Sequence, residues 1–336
     1  MTEIVTFAGV DSELVEWIAR LYGNADPKYR DRSFLSHLFL RNPAGPSLHA
    51  FALDDGQAVG HCCVVRTPAR YGAQPLAAGK LEALWLDEPY RGRRADGKTI
   101  VRTLLDRLYA FSDEQGIELI HALATPEIGK VIAFTAVDGV GQPSLVSVIR
   151  PSRRGERAVA VPQRALLIAA RSLAIAPRSQ RTRAATGDDV DLVDAPLPAR
   201  DCWTLVTADA WDWYCSSPLV RVLERRGRHA FRALVQLPGV AGGPLRLVGW
   251  RAEGSAVRSA LTLLGELDEM ARRTQASTLR FQPWGSAAGN GALTRACRLL
   301  AFVPRPDLTR LWVRSSDPAH MKRESIVSTP LFYLGF

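Results

Sequence analysis

The residues from Leu81 to Thr99 hold the pattern with the most chemical content in the chain. An apolar, strand-like run, Leu81-Glu82-Ala83-Leu84-Trp85-Leu86-Asp87, is followed by Glu88-Pro89-Tyr90-Arg91-Gly92-Arg93-Arg94-Ala95-Asp96-Gly97-Lys98-Thr99 and then by a long apolar-periodic segment. That order is a strand, a basic glycine-bearing loop and a helix. Such a loop at a helix N-terminus turns backbone N–H groups and the positive end of the helix dipole toward an anion. Gly92 to Thr99 also satisfies the G-x-x-x-x-G-K-T pattern of a P-loop. Its surroundings oppose that reading. A P-loop needs a buried strand immediately before its first glycine, and Asp87 to Arg91 intervene here. It also needs a second apolar strand ending in Asp, whereas the run Ile117 to Ala124 leads into Thr125.

Other groups with reactive side chains point to less. The five cysteines (Cys62, Cys63, Cys202, Cys215 and Cys297) are odd in number and form no CxxC pair, which fits free thiols in a reducing compartment. His61-Cys62-Cys63 has metal-ligating residue types, but neighbours on a strand point to opposite faces, so no metal is expected there. The net charge is +9, and residues 150–186, with nine arginines against Glu156, account for +8 of it. A basic connector of this kind fits a solvated linker, a docking strip for an acidic surface or part of an anion site. It argues for nucleic acid far less than an evenly basic fold would. No apolar run of 18 residues or more is present, which disfavours a membrane span. The N-terminal Met1 to Phe7 has no basic n-region or apolar h-region, so a cytoplasmic location is expected.

The elements that must position these residues follow from apolar spacing. Leu14, Val15, Ile18, Leu21 and Tyr22 predict a helix over Asp11 to Tyr22, and Ser33 to Leu40 a second, short one. His49 to Leu53 and Ala58 to Thr67 read as a hairpin, and Lys80 to Leu86 as a further strand. A helix is expected over Thr99 to Ser112, a strand over Ile117 to Ala124, a helix from Thr125 to about Val137 and a closing strand over Ser144 to Val148. After a connector with one helix candidate, Gln163 to Ile175, the order returns: strands over Phe231 to Gln236 and Leu245 to Trp250, a helix over Val257 to Thr274, a strand over Thr278 to Gln282, a helix over Asn290 to Leu300 and a strand over Thr309 to Val313. The expectation is an α/β (α+β) protein of two modules, 1–150 and 201–336, joined by a basic connector, 151–200. Each module is a mixed, mostly antiparallel twisted sheet flanked by helices.

This order, with its basic loop between the fourth strand and the next helix, resembles the GNAT (Gcn5-related N-acetyltransferase) superfamily. The loop carries the likeness furthest: Arg94-Ala95-Asp96-Gly97-Lys98-Thr99 is similar to the family's Arg/Gln-x-x-Gly-x-Gly/Ala, with Thr99 in place of the small residue. The stretch from Thr125-Pro126-Glu127 to Asp138-Gly139-Val140 resembles the second family motif, and Tyr90-Arg91-Gly92-Arg93 the entry to the loop. The second module has Trp250-Arg251-Ala252-Glu253-Gly254-Ser255 where the loop would stand, so it reads as degenerate.

The resemblance implies acetyl-CoA or another acyl-CoA as cofactor. Its pyrophosphate would be held by Arg91, Arg93, Arg94, Ala95, Asp96, Gly97, Lys98 and Thr99, and its pantetheine arm by the backbone of Leu84, Trp85 and Leu86. The partner implied is a small-molecule amine, with a homodimer left open. Acyl transfer to an amine needs a base, an oxyanion donor and, for the thiolate, a proton. Glu82 is the candidate base, His121 on the adjoining strand a second catalytic candidate, and Tyr90 a candidate acid. The acid is in question because Phe134 occupies the place where the family often has a tyrosine; Tyr71 is a further option. A surface or salt-bridged Glu82, a structural His121 and a solvated basic loop are the alternatives. In function, the rivals are a catalytically silent scaffold that binds CoA or a partner protein, a nucleotide site and nucleic-acid binding. Asp209-Ala210-Trp211-Asp212-Trp213-Tyr214 reads as core or inter-domain packing, or as a wall of the acceptor pocket.

Overall fold

The computed structural model describes residues 2–22, 27–95, 97–137, 144–149, 163–169, 180–192, 203–204, 208–227, 229–239, 241–252, 256–281, 288–305 and 310–321. The first part of the chain runs β1 (Glu3–Ala8), α1 (Ser12–Tyr22), a turn (Pro27–Arg30), α2 (Arg32–Leu35) continued by Ser36–Leu40, β2 (Leu48–Asp54), β3 (Gln57–Tyr71) and β4 (Gln74–Leu86). It continues with the short strands β5 (Arg94–Ala95) and β6 (Lys98–Thr99), then α3 (Ile100–Glu114), β7 (Leu119–Ala124), α4 (Pro126–Ile132), β8 (Thr135–Val137) and β9 (Ser144–Val148). The helices form where apolar spacing and a cap coincide. Asp11 Oδ1 accepts from the amide of Leu14, and Leu14, Val15, Ile18, Leu21 and Tyr22 are the buried face of α1. Thr99 caps α3, which buries Ile100, Leu104, Leu105 and Leu108. Gly116, at φ +73°, turns the chain away after it.

The second part contains α5 (163–169), β10 (Gln180–Ala184), β11 (Trp203–Thr204), α6 (Ala208–Cys215), β12 (Val220–Arg225), β13 (Phe231–Gln236), β14 (Pro244–Ala252), α7 (Ala256–Arg273), β15 (Thr278–Phe281), α8 (Ala288–Leu299), β16 (Val303–Arg305) and β17 (Arg310–Ser315). Two large sheets result, with orders β1-β2-β3-β4-β7-β17-β8 and β10-β12-β13-β14-β15-β9-β16; β11 joins the first through β3. Each has one parallel step near its centre, β4–β7 and β14–β15. Helix α3 covers one face of the first sheet and α1 with α2 the other, while α7 and α8 cover the second. Between the two sheets lies a shared core of Leu76, Leu119, Leu311 and Val313 against Trp211, Tyr214, Val222 and Leu234.

The two strands expected to close each module are exchanged. Ser144–Val148, expected in the first module, pairs with β15 and β16. Arg310–Ser315, expected in the second, lies between β7 and β8. Part of the basic connector is also sheet: Gln180–Ala184 pairs with β12. Divisions at 150 and 200 therefore do not follow the sheets. Periodicity marks a strand but carries no information about which free edge will receive it, and both sheets offer an equivalent edge beside the parallel step. The helix after Thr125 stops at Ile132 instead of continuing to about Val137, because Ala133 turns left-handed (φ +57°) and β8 follows. Strands β1, β10 and β12 had no sequence expectation. Much of the arginine-rich stretch, including Arg150, Arg153, Arg154 and Arg157, lies outside the described residues, as does Cys202. Among those described, Arg183 forms a two-pronged pair with Asp189. No helix among the described residues is long and apolar enough to cross a membrane.

Candidate functional site

The site is built where β4 and β7 part. Their parallel ladder covers only Ala78–Leu119, Gly79–Ile120 and Lys80–His121. On its other side β4 stays paired with β3 to its end, but with a slip: Cys62 faces Leu84 and Cys63 faces Glu82, leaving Ala83 as an extra residue. Ala83 has φ +56°, a left-handed conformation that costs a non-glycine residue on the order of 1 kcal/mol and persists where the surroundings enforce it. The Cys63 thiol donates to the Glu82 carbonyl at 3.0 Å, holding that carbonyl beside the bulge. A bulge increases local twist and re-aims side chains. Here it swings β4 away from β7 and leaves the edge from Leu81 to Leu86 outside the β7 ladder.

Three of the side chains at this fork come from the two strands that form it. Lys80 sits opposite His121 in the ladder, and Lys80 and Glu82, two residues apart, share a face. Glu82 Oε2 is 2.7 Å from Lys80 Nζ, Oε1 is 3.7 Å from Lys28 Nζ, and the Tyr29 hydroxyl donates to Oε1 at 3.3 Å. Burial would raise the Glu82 pKa, but the two ammonium groups and the hydrogen bonds from Lys80 and Tyr29 outweigh it and hold the carboxyl below its ordinary range. Burial, with Lys80 adding to it and Glu82 opposing, pushes His121 down to about 3, so its ring is neutral. The structure thus brings Glu82 and His121 together. It adds Lys80, Lys28 and Tyr29, which the sequence reading did not single out. The signal that could have found Lys80 is its place two residues before Glu82, on the same face of β4. Nothing local pointed to Lys28 and Tyr29, which arrive from a turn more than fifty residues away.

Behind Tyr29 lies a buried polar chain. Ser47 Oγ meets His49 Nε2 at 2.6 Å, His49 Nδ1 meets His61 Nε2 at 3.0 Å, and the Tyr22 hydroxyl lies 3.0 Å from His61 Nδ1 while donating to the His61 carbonyl. Tyr22 then stacks on Tyr29, with centroids 4.7 Å apart. Cys62 points to the α3 side, but His61 and Cys63, two residues apart, do share a face. With His49, which the sequence expectation did not include, they place three ligand-type atoms within 4.8 Å. The ring nitrogens engage one another, Ser47 and Tyr22, and burial holds both imidazoles well below their ordinary pKa. The cluster is a neutral, mutually satisfied network.

No family model matches the chain, and no curated protein matches it. Solved structures do. A tandem GNAT protein from the clavulanic acid biosynthesis pathway superposes with a TM-score of 0.54 at 14% identity, over 95% of this chain and 99% of that one. The fold is that of the GNAT N-acetyltransferases. Saccharomyces cerevisiae N-myristoyltransferase with bound myristoyl-CoA is similar to the same degree, with a TM-score of 0.54 at 10% identity over 97% of this chain and 83% of that one.

In this GNAT fold the basic loop joins β4 to α3 at the mouth of the fork. Arg94–Ala95 pairs antiparallel with Lys98–Thr99, the Ile100 amide donates to the Arg93 carbonyl, and Thr99 Oγ1 accepts from the Arg102 amide. The loop is thus a small hairpin, with part of its backbone turned inward, so the row of free amides expected of an anion cradle is reduced. Charge is what it offers. Arg94 is exposed, Arg93 lies over the Tyr90 ring at 4.6 Å, Lys98 pairs with Asp106 at 2.7 Å, and Arg91 lies 5.2 Å over Trp85 and donates to the Leu86 carbonyl. Gly97 and Gly92, at φ +75° and +82°, supply the turns. Asp96 lies outside the described residues. The hairpin, a two-stranded sheet of its own, does not have the strand-into-helix geometry of a P-loop. Leu84 and Leu86 face the α3 core and Trp85 the α1 side, so β4 offers backbone to a ligand at its edge.

The two candidate acids, and Phe134 at the place where the family often has a tyrosine, lie away from this cluster. Tyr90 donates to Asp54 Oδ2 at 2.9 Å at the end of β2, which raises its pKa. Tyr71 stacks edge-on to His320, and Phe134 is buried against Tyr109. A cavity of about 420 Å³, lined by Arg66, Thr67, Arg70 and Glu118, sits at the opposite end of β3 and β4. The aromatic segment on α6 joins the modules: Trp213 stacks on His37, donates to its carbonyl and packs in one cluster with Tyr29 and Phe34.

Proposed function

We propose that the first module binds an acyl-CoA along the open edge of β4 and transfers its acyl group to the amine of a small molecule. The observation that carries the reading is the fork itself: a three-residue parallel ladder parted at the Ala83 bulge, with an ionised carboxylate at its vertex and a basic loop at its mouth. The residues present fit an acyl-CoA in two respects. The β4 edge presents peptide groups to an amide-bearing arm, and Arg93, Arg94 and Lys98 place cations beside the start of α3, where an anion is favoured. When bound, the cofactor supplies an activated thioester.

The chain's own residues do the rest. Glu82, ionised and fixed by Lys80, accepts a proton from the incoming amine, directly or through a water. Its depressed pKa makes it a weak base, so its part is to orient and hold the proton in transit. Lys80 stabilises negative charge at the vertex. The neutral His121 fills the floor between the strands. A catalytically silent ligand-binding module is the second reading, favoured by the inward-turned loop and by Phe134 and Tyr90 standing apart from Glu82.

Calorimetric titration with CoA, acetyl-CoA and Mg-ATP, followed by thiol release over a panel of amines, tests both. Binding of CoA with amine-dependent thiol release is expected. Binding without release for any amine favours the silent module, and binding of Mg-ATP without CoA overturns both.

A further inference from the structure

The cavity at the far end of β3 and β4 lies outside the fork, and the residues of the two strands account for it. Along β3, Arg66, Pro68 and Arg70 share one face, and opposite them on β4 stand Gly79, Ala77 and Pro75. Such small partners leave room on that face. Helix α3 covers the same face nearer the fork, but it ends at Glu114 and Gly116 turns the chain away. The space left is about 420 Å³, within the range of small-molecule sites.

The charged side chains that line it are Arg66, Arg70 and Glu118. Backbone groups fix two of them. Arg66 donates from Nε to the Pro46 carbonyl at 3.2 Å and from Nη2 to the Gln115 carbonyl at 3.1 Å, just past the end of α3, which leaves Nη1 unengaged. Glu118 accepts the Ala77 amide at Oε2, at 2.9 Å, which leaves Oε1 unengaged. The third, Arg70, is exposed, and its guanidinium makes no hydrogen bond or ion pair. Among the described residues, none of the three charges is matched by an ion pair, with one another or with any other side chain. Two guanidinium groups and one carboxylate thus border a single cavity without neutralising each other.

The ligand that answers all three carries two carboxylates and one ammonium. A guanidinium takes a carboxylate through two parallel hydrogen bonds, each about twice as strong as a neutral one. A dicarboxylate without the ammonium would face Glu118 with like charge, and a monocarboxylate would leave one arginine unanswered. We propose that this cavity binds an amino acid with an acidic side chain, of the L-glutamate type. Arg66 and Arg70 each receive a carboxylate, and Glu118 receives the ammonium. Arg66 and Glu118 are already held before the ligand arrives, so little ordering is lost at those two positions on binding. No residue of the fork takes part, and the proposal does not depend on the acyl-transfer reading.

The test is calorimetric titration of the full chain, without CoA, by L-glutamate, glutarate and L-glutamine. Glutarate lacks the ammonium, and L-glutamine lacks the second carboxylate. Saturable binding of L-glutamate is expected, with each of the other two weaker by about fivefold, the usual worth of one exposed ion pair. Arg70→Gln and Glu118→Gln should each weaken L-glutamate by a similar factor. Arg70 is exposed, and glutamine at 118 keeps an oxygen for the Ala77 amide, so both variants should keep the urea midpoint of the parent. Arg66 is left in place because it also closes the end of α3. Three results overturn the proposal: no saturable binding of L-glutamate, glutarate or L-glutamine binding as tightly as L-glutamate, or full affinity retained in either variant.

Discussion

The two modules carry the same fork and fill it with opposite chemistry. In each, a central strand pairs in parallel with its neighbour over three or four residues and then meets a bulge, at Ala83 in β4 and at Val248 in β14. In the first module the residue before the bulge is Glu82, held by Lys80 and Lys28. In the second it is Leu247, buried with Trp250 and Phe281. The first strand leads to its helix through the basic hairpin; the second passes from Ala252 to Ala256 through Glu253-Gly254-Ser255. The bulges differ too, since Ala83 is left-handed and the β-branched Val248 is not. The fork is thus a property of the fold, and a few side chains decide whether it closes as core or stays polar. A buried ion cluster costs desolvation that an apolar core avoids, which agrees with the proposal that the first module holds the acyl-CoA.

The sharpest way to break this comparison is to separate the modules. They are tied by the exchanged strands, and Trp312 fixes β17 in the first sheet. Its indole donates to the Ala124 carbonyl, and its ring occupies the space that a Cβ on Gly129 would need, 1.9 Å away. Trp312→Ala is expected to cost about 3–5 kcal/mol, the usual range for emptying a buried tryptophan site. In urea both modules should lose structure in one earlier transition. Two transitions, with the second module unfolding at its original midpoint, would show that the exchange does not couple them.

Next in size is the carboxylate. Glu82→Gln keeps the shape and the hydrogen bond from Tyr29 but removes the charge, and kcat/KM is expected to fall about 100-fold. Leu247→Met, at the matching place in the second fork, should leave the rate within about twofold of the parent while costing under about 1.5 kcal/mol of stability. A Glu82→Gln enzyme with full turnover would end the assignment of Glu82.

Much of this asymmetry was legible in the sequence. The basic loop, the glutamate inside an apolar strand and the lack of a matching loop after Trp250 are local features, read directly from residue type and order. The pairing of Ser144–Val148 and Arg310–Ser315 was not, because the edge a strand joins is decided by the rest of the sheet. Nor was the partner set of Glu82: Lys28 and Tyr29 reach it through the packing of a short turn on β4, a contact without periodicity. The consecutive His61, Cys62 and Cys63 do not converge, as expected, since Cys62 faces α3; the grouping of His61 and Cys63 with His49, which stands opposite Cys63 on β2, was not legible because it needs the pairing of a second strand.

Those histidines give the third prediction. Among the described residues, the ones that burial holds neutral, with pKa values of about 4 for His37, about 3 for His49 and His121, and well depressed for His61, all lie in the first part of the chain. An unfolded histidine protonates near pH 6.5, whereas these cannot until far lower. The unfolded state therefore binds more protons as pH falls below about 6.5, and stability declines from there toward pH 3 to 4. The carboxylate of Glu82, also depressed, adds a loss only below its ordinary carboxylate range. Up to about 2 kcal/mol for each such histidine should disappear between pH 7 and pH 5, with hydrogen exchange quickening first around β2, β3 and β7 and later in α7 and α8. Equal acceleration in both modules, or a flat stability profile over this range, would contradict it.

The smallest expected effect tests what the loop contributes. Because the hairpin turns part of its backbone inward, anion binding there should rest on side-chain charge rather than on a nest of amides. An exposed cation at the ligand's edge is worth a fraction of 1 kcal/mol up to about 1 kcal/mol and is screened by salt. Arg94→Ala should therefore weaken CoA binding only about threefold to fivefold in dilute buffer, with the difference from the parent narrowing as salt is added. Arg251→Ala, near the end of β14 in the second module, should leave the CoA affinity unchanged. If Arg94→Ala instead cost a hundredfold at every salt concentration, Arg94 would be making a buried, two-pronged phosphate contact. The hairpin would then have to open on binding, and the loop would belong with the amide cradle that its glycines first suggested.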